Sequence, residues 1–143
     1  GQSEAIARNL ATMSSLKTKI LVVVSGEGGS GGALALGVGD HIAILEYGTY
    51  SVASPEARAS IVWRESDKAP EAAEAMKVGA NDLKKIGIVD EIIDEPIGGA
   101  HQDYDMVSAN IKSSLLTNIA ELSKFSQEEL LQRRYQRLLK IGA

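Results

Sequence analysis

The sequence predicts an α/β fold that ends in a helical tail. Apolar, mostly β-branched residues run from Ile20 to Val24 and lead into Gly26–Gly32, a run with five glycines among seven residues. Two more strand-like runs follow close together, and helical periodicity dominates after residue 55. Strands that alternate with helical segments in this way are typical of α/β domains.

The first half of the chain holds three predicted strands. An amphipathic helix covers about residues 3 to 15, and a buried strand follows at 20–24. A helical pattern at 33–38 ends at Gly39. Two strands at 42–46 and 50–53 are separated by only three residues. Because a parallel return within one sheet needs a dozen or more residues, the second of these strands must turn back or leave the sheet.

The second half is predicted to be mostly helical. Ser54 and Pro55 start a helix that reaches Trp63, since Ser is a good helix cap and Pro is favoured at the first helical position. The other predicted elements are helices at 70–76 and 81–85, a strand at 88–93, a loop at 96–101, and helices at 104–122 and 127–140. We interpret the basic run Arg133–Arg137 in the last helix as a solvated face, with docking of an acidic partner or a phosphate as the alternative.

Composition indicates a single globular domain over residues 1–143, with 44% hydrophobic and 24% charged residues. The absence of cysteine excludes thiolate metal sites and a Cys nucleophile, and two histidines make a histidine-based metal centre unexpected. The net charge of −4 disfavours general nucleic-acid binding. The longest apolar run is too short to span a bilayer. Gly1–Glu4 has neither an initiator Met nor signal-peptide features, so we expect a piece of a longer or processed chain.

The glycine run supports three interpretations, and dinucleotide binding is the first. Gly26, Gly28 and Gly31 match G-x-G-x-x-G after a strand. Glu46 follows 20 residues after Gly26, where a ribose-binding acid is expected. The strand predicted at 50–53 conflicts with this interpretation, because a doubly wound sheet needs a crossover there.

A serine hydrolase is the second interpretation. Residues 28–32 match G-x-S-x-G with Ser30 as the nucleophile, and Asp90 and His101 follow in the order of a Ser-Asp-His triad. The pattern is weak in so glycine-rich a run, and Ser30 fits a helix cap as well.

The third interpretation uses only the backbone. A helix that begins at glycines presents unpaired N–H groups, and the missing Cβ atoms let a ligand approach them closely. Such a turn stabilises an oxyanion, for example an enolate or a ureido anion. It needs no side-chain base.

Seven separated motifs give the chain a resemblance to a known family. They are GQSEAIARNL (1–10), GEGGSGGALA (26–35), TYSV (49–52), SPE (54–56), DKAP (67–70), EPIGGAH (95–101) and RRYQRL (133–138). In this order they closely resemble the carboxyltransferase alpha subunits of multi-subunit acetyl-CoA carboxylases. The resemblance covers essentially the whole chain. Because the family's alpha chains are longer, it implies that this is a C-terminal half.

The resemblance implies a crotonase (ClpP-like) fold, in which β-β-α units wind into a spiral. The implied activity moves a carboxyl group from carboxybiotin, on a biotin carboxyl carrier protein, to acetyl-CoA, giving malonyl-CoA for fatty acid synthesis. A zinc-ribbon beta subunit completes the active site in an α2β2 heterotetramer, and biotin carboxylase belongs to the same system. We expect no metal or cofactor bound by this chain itself and no membrane contact. The implied location is a bacterial cytoplasm, with a plastid as the alternative.

The resemblance also implies roles for residues of the glycine run. Gly31 and Gly32 match the family's oxyanion glycines, whose N–H groups bind the ureido oxygen of biotin. Gly28, Gly29 and Ser30 would shape the floor of the pocket, although turn geometry and helix capping explain these three residues equally well.

Two side chains outside the run are expected to have structural roles. Glu56 lies in the first turn of the helix that begins at Pro55, where an acid stabilises the helix dipole. A place for Glu56 and Arg58 at the subunit interface is the alternative. Trp63 is expected to anchor the core or an interface.

Overall fold

The computed structural model describes residues 1–62 and 76–141. The elements are α1 (Gln2–Ser15), β1 (Leu21–Val24), β2 (Glu27–Gly29), α2 (Ser30–Leu36), β3 (His41–Leu45), β4 (Thr49–Ser51), α3 (Pro55–Val62), α4 (Ala80–Lys85), β5 (Glu91–Ile93), a 3-10 turn (Ala100–Gln102), α5 (Tyr104–Leu122) and α6 (Gln127–Leu139). These elements confirm the predicted α/β class. Trp63 and nearly all of the helix predicted at 70–76 lie outside the described residues.

The described strands form two parallel sheets. One contains β1, β3 and β5 in the order β1-β3-β5, with Leu21 opposite His41 and Ala43 opposite Glu91. The other contains β2 and β4, with Gly28 opposite Tyr50. The strand predicted at 50–53 therefore leaves the first sheet, as one of the two expected outcomes. Each of the two successive β-β-α units contributes one strand to each sheet.

This topology contradicts the dinucleotide-binding interpretation. A dinucleotide fold needs a tight turn between its first strand and the following helix, but here the glycine run contains a strand of its own, β2. Its partner β4 lies in the second sheet. The proposed ribose ligand, Glu46, instead accepts a hydrogen bond from the Glu95 N–H at 3.2 Å.

The core lies on both faces of the three-stranded sheet. Side chains alternate along β3, so that Ile42 and Ile44 pack with Leu83 of α4, while Ala43 and Leu45 pack on the opposite face. The second cluster also contains Val107 of α5 and Ile93 of β5. Four of the five residues of β3 are buried, whereas only Val24 is buried in β1, the strand predicted to be buried.

A buried arginine joins α6 to the residue before β3 and to the end of α1. Arg134 of α6 is 1% exposed and forms a two-pronged salt bridge with Asp40, with both N···O distances at 2.9 Å. The same guanidinium donates to the carbonyl oxygens of Met13, Leu16 and Thr18 at 2.8 to 2.9 Å. These carbonyls belong to the end of α1 and the loop that follows, where the helix no longer supplies a full set of donors, although the Met13 oxygen also accepts the Leu16 N–H at 3.4 Å.

The solvated-face interpretation of the basic helix is therefore wrong for two of its arginines. Arg134 is buried, and Arg137 donates to the Ile88 carbonyl oxygen at 2.7 Å and pairs with Asp90 at 3.0 Å. Only Arg133 of the run's three arginines is largely exposed, and it stacks over the Phe125 ring at 4.0 Å from its centroid.

Candidate functional site

The glycine run forms a short strand that passes directly into a helix. Helix α2 begins at Ser30, three residues earlier than the predicted start, and Gly29 is its N-cap. Gly31 and Gly32 are consequently the second and third helical residues, whose N–H groups have no acceptor within the helix. No side chain caps this end. A Cβ built on Gly32 meets no atom within 4 Å, so that side of the turn is open.

The Tyr50 side chain of β4 holds the glycine turn in place. Its hydroxyl donates to the Ala33 carbonyl oxygen at 3.0 Å, and its ring lies against β2. A Cβ at Gly28 would stand only 2.8 Å from the Tyr50 Cδ2 atom, so glycine is required there by close approach. Burial raises the pKa of Tyr50, an effect that the Arg137 charge partly offsets, so the hydroxyl stays neutral and keeps its hydrogen bond.

A cavity of about 170 Å³ adjoins the start of α2 at Ser30. Its wall is mostly apolar, and Leu34, Val52 and Ile86 are more than half exposed at its rim. Ser30 (φ 61°) and Lys77 (φ 49°), the two non-glycine residues with positive φ in the described part of the chain, both lie on this wall. Backbone strain of this kind often occurs at ligand-binding sites.

The family model described as "Acetyl co-enzyme A carboxylase carboxyltransferase-like" matches residues 1–142. The chain belongs to this family. It is 58% identical over 142 residues to the acetyl-coenzyme A carboxylase carboxyl transferase subunit alpha of Vibrio cholerae, covering 99% of this chain and 44% of that protein. The subunit of the same name from Pseudoalteromonas atlantica is 56% identical over 142 residues, covering 99% of this chain and 45% of that one. The chain thus spans less than half the length of these carboxyltransferase relatives, and its placement as their C-terminal half stays a prediction.

Two solved structures confirm the predicted crotonase-like carboxyltransferase fold. A Pseudomonas malonate decarboxylase hetero-tetramer in complex with coenzyme A aligns with a TM-score of 0.71 at 15% identity, over 94% of this chain and 53% of that one. The transcarboxylase 12S structure aligns with a TM-score of 0.53 at 23% identity, over 62% of this chain and 18% of that one. Identities this low support the fold alone.

In this carboxyltransferase-family chain, the predicted site residues lie together but face different surroundings. Ser30 lines the 170 Å³ cavity, whereas Gly28 lines a neighbouring cavity of about 300 Å³ on the other side of Tyr50. Gly31 and Gly32 line neither cavity. Gly31 is half-buried, with its Cβ position 3.3 Å from Ile6 Cδ1 of α1, and Gly32 is exposed.

The serine-hydrolase alternative is not supported by this geometry. Asp90 Oδ2 accepts hydrogen bonds from the Ile42 N–H at 2.8 Å and from Arg137. The exposed His101 ring bonds with the Gln102 amide at 2.9 Å. Among the described residues, no hydrogen bond joins any two of Ser30, Asp90 and His101. The triad is therefore not assembled, because sequence order did not bring its members together in space.

The acid at the start of α3 has the expected structural environment. Hydrogen bonds from its own backbone N–H and from the Ser54 hydroxyl lower the pKa of Glu56. The Ser54 Oγ in turn accepts the Ala57 N–H at 3.2 Å, as a helix cap does.

A second polar group lies at the edge of the main sheet, away from the glycine turn. One oxygen of Glu91 accepts hydrogen bonds from His41 and Ser114 at 2.8 Å and from Asn118 at 3.0 Å. Burial raises the pKa of Glu91, but these hydrogen bonds together outweigh burial and hold the pKa below its usual value. The charged carboxylate is thus the form that the fold stabilises.

Sequence reasoning missed three side chains around the turn. Tyr50 is predicted only as a strand residue, Arg58 only as an alternative interface residue, and Lys77 has no predicted role, although Arg58 and Lys77 both line the 170 Å³ cavity. Lys77 carries no local signal. Tyr50 does have a signal, namely Gly28 opposite it in the sheet, because a bulky ring beside a glycine indicates close packing.

Proposed function

We propose that the chain is part of a carboxyltransferase alpha subunit that moves a carboxyl group from carboxybiotin to acetyl-CoA, giving malonyl-CoA. The observation that carries this proposal is the 58% identity to such a subunit over 142 residues. Because the chain covers 44% of that relative, the activity of the whole protein is inferred for the full-length form.

The Gly31 and Gly32 amides are the proposed oxyanion donors. Their place in the first turn of α2, the absence of a side-chain cap and the open side of Gly32 support this assignment. One preorganised donor contributes roughly 3 kcal/mol when it acts only in the transition state. Gly28, Gly29 and Ser30 are proposed to shape the pocket floor, with Gly28 set against Tyr50 and Ser30 on the cavity wall.

The two amides would donate to the ureido oxygen of the donor substrate as its N–CO₂ bond breaks. The electron pair of that bond stays on the ureido group, where the amides stabilise the negative charge. The ureido anion then takes a proton from the acetyl methyl group, and the resulting enolate forms the new C–C bond to CO₂. We propose that a second oxyanion hole on the beta subunit holds the thioester oxygen.

The proposed partners follow from the same assignment. They are a beta subunit in an α2β2 heterotetramer, the biotin carboxyl carrier protein and biotin carboxylase, with acetyl-CoA as the acceptor. The relatives' name, subunit alpha, and their bacterial sources support a multi-subunit enzyme of the bacterial cytoplasm. That this chain holds no metal or cofactor of its own stays a prediction.

The test is a malonyl-CoA decarboxylation assay with free biotin, using the full-length protein co-expressed with a beta subunit. We expect biotin-dependent turnover only when both chains are present. Turnover by the alpha chain alone, or labelling of Ser30 by a fluorophosphonate with loss of activity in Ser30→Ala, would contradict the proposal.

A further inference from the structure

In the part of the chain that the structure describes, the charged residues lining the cavity beside Ser30 are all cationic. Among the described residues that line it, Arg58 and Lys77 are the charged ones, and both are cationic. The remaining wall is apolar apart from Ser30, Ser51 and Tyr50. Tyr50 is neutral and its hydroxyl is engaged with the Ala33 carbonyl. A mostly apolar wall screens charges poorly, so an anionic group entering this cavity is attracted by both cations.

Backbone hydrogen bonds fix the two chain segments that carry these cations. The Arg58 N–H donates to the Ser54 carbonyl oxygen at 2.9 Å within the first turn of α3. On the other side, the segment after Lys77 is tied to β4, because the Tyr50 N–H donates to the Val78 carbonyl oxygen at 3.1 Å. Lys77 itself keeps a positive φ that costs on the order of 1 kcal/mol or more for a non-glycine residue. The fold therefore maintains a strained, solvent-exposed lysine on the cavity wall.

The cavity also adjoins the proposed oxyanion donors. Ser30 lies on its wall and directly precedes Gly31 and Gly32. In a carboxylated cyclic urea, the carboxylate is bonded to the nitrogen next to the ureido carbonyl, so it lies within a few bonds of the oxygen that the amides would bind. Because Gly31 and Gly32 do not line the cavity themselves, the carboxylate of a donor held at their amides must extend past Ser30 to reach this wall.

We infer that Arg58 and Lys77 bind the carboxylate of the carboxylated biotinyl group and thereby make the site prefer the carboxylated carrier over the uncarboxylated one. This inference rests on the proposed function. After transfer the carboxylate is gone, the two cations lose their partner, and the uncharged biotinyl group is held only by its apolar and amide contacts. The same pair therefore favours release of the spent carrier.

The test compares the two forms of the carrier in the full-length complex with its beta subunit. Arg58→Gln and Lys77→Gln should each raise the KM for the carboxylated carrier about tenfold, equivalent to ~1.4 kcal/mol. The inhibition constant of the uncarboxylated carrier should stay within about twofold of wild type. Arg58→Lys, which keeps the charge, should retain most of the preference. Lys85→Gln, an exposed cation in the last turn of α4 that does not line the cavity, is the matched control.

The salt dependence gives a second measurement. The wild-type KM for the carboxylated carrier should rise with ionic strength, and this rise should be smaller in the two Gln variants. The inference would be overturned if the Gln variants bound both carrier forms equally more weakly, or if the KM were unchanged in both variants. In either case, biotin-dependent turnover by the wild-type complex would leave the proposed function standing. A wild-type complex without biotin-dependent turnover would overturn the proposed function and this inference with it.

Discussion

Substitution of Gly32 by alanine separates the proposed chemistry from folding at one position. An added Cβ meets no atom within 4 Å, so alanine fits without displacing a neighbour. Within a helix, alanine is favoured over glycine by about 0.5–1 kcal/mol. The free energy of unfolding of Gly32→Ala should therefore be unchanged or higher by up to about 1 kcal/mol. The new methyl group instead occupies open space that a ligand needs in order to reach the adjacent amides.

The expected loss lies in turnover. Complete removal of one oxyanion donor lowers kcat by about 100- to 1000-fold. A methyl group that holds the oxyanion away weakens the contact without removing the donor, so we expect a decrease of roughly 10- to 100-fold. The assay is biotin-dependent malonyl-CoA decarboxylation by the full-length complex, with thermal unfolding measured on the same preparation.

Gly79→Ala provides the control, because Gly79, the N-cap of α4, likewise has open space at its Cβ position. It should leave kcat within about twofold of wild type, allowing a few tenths of a kcal/mol for the changed cap. A Gly32→Ala enzyme with wild-type kcat would refute the oxyanion assignment. So would a loss of activity that merely tracks the fraction of unfolded protein.

Three further predictions concern stability. Gly28→Ala should destabilise the fold by about 1–3 kcal/mol, since its Cβ would lie 2.8 Å from the Tyr50 ring, and a denaturation midpoint equal to that of wild type would contradict this. Arg134→Met should lower the free energy of unfolding by about 3–5 kcal/mol in chemical denaturation, because the 2%-exposed side chain of Asp40 loses its charge partner. The double variant with Asp40→Asn should recover part of this loss, and additive losses would disprove the coupling. Because the pKa of Glu91 is lower in the folded protein than its usual value of 4.5, the carboxylate stabilises the fold above pH 4.5, and this stabilisation is lost as the pH falls below 4.5. The melting temperature of Glu91→Gln should therefore depend less on pH in this acid range than that of wild type. Parallel curves for the two proteins would show the reasoning to be wrong.

Local sequence patterns predicted the elements whose stability comes from their own residues. Helix α5 was placed at 104–122 and is observed at Tyr104–Leu122, where the Asp103 side chain accepts the Met106 N–H as a cap. The capping box at Ser126 and Glu129 is likewise present. These signals act over a few residues, so the sequence displays them directly.

Strand β2 and the buried arginine depend on distant partners and were missed. Glu27–Gly29 has no strand-like pattern, and it becomes a strand because β4 pairs with it. A run of arginines resembles a solvated face until the fold brings Asp40 against Arg134. The glycine turn itself was recognised from its motif, whereas its surroundings, Tyr50, Arg58 and Lys77, come from three separate segments that only the tertiary structure joins.

The Arg134 contacts link α6, through α1, to the glycine turn. The Arg134 side chain donates to carbonyl oxygens at the end of α1 and so helps to fix the position of this helix. Ile6 of α1 in turn lies against Gly31. Truncation before α6 would thus remove a contact that stabilises the end of α1, more than 100 positions earlier in the sequence. A change in α6 that removes this contact would weaken the packing behind the glycines, and a loss of turnover from such a change need involve no lost contact with any substrate.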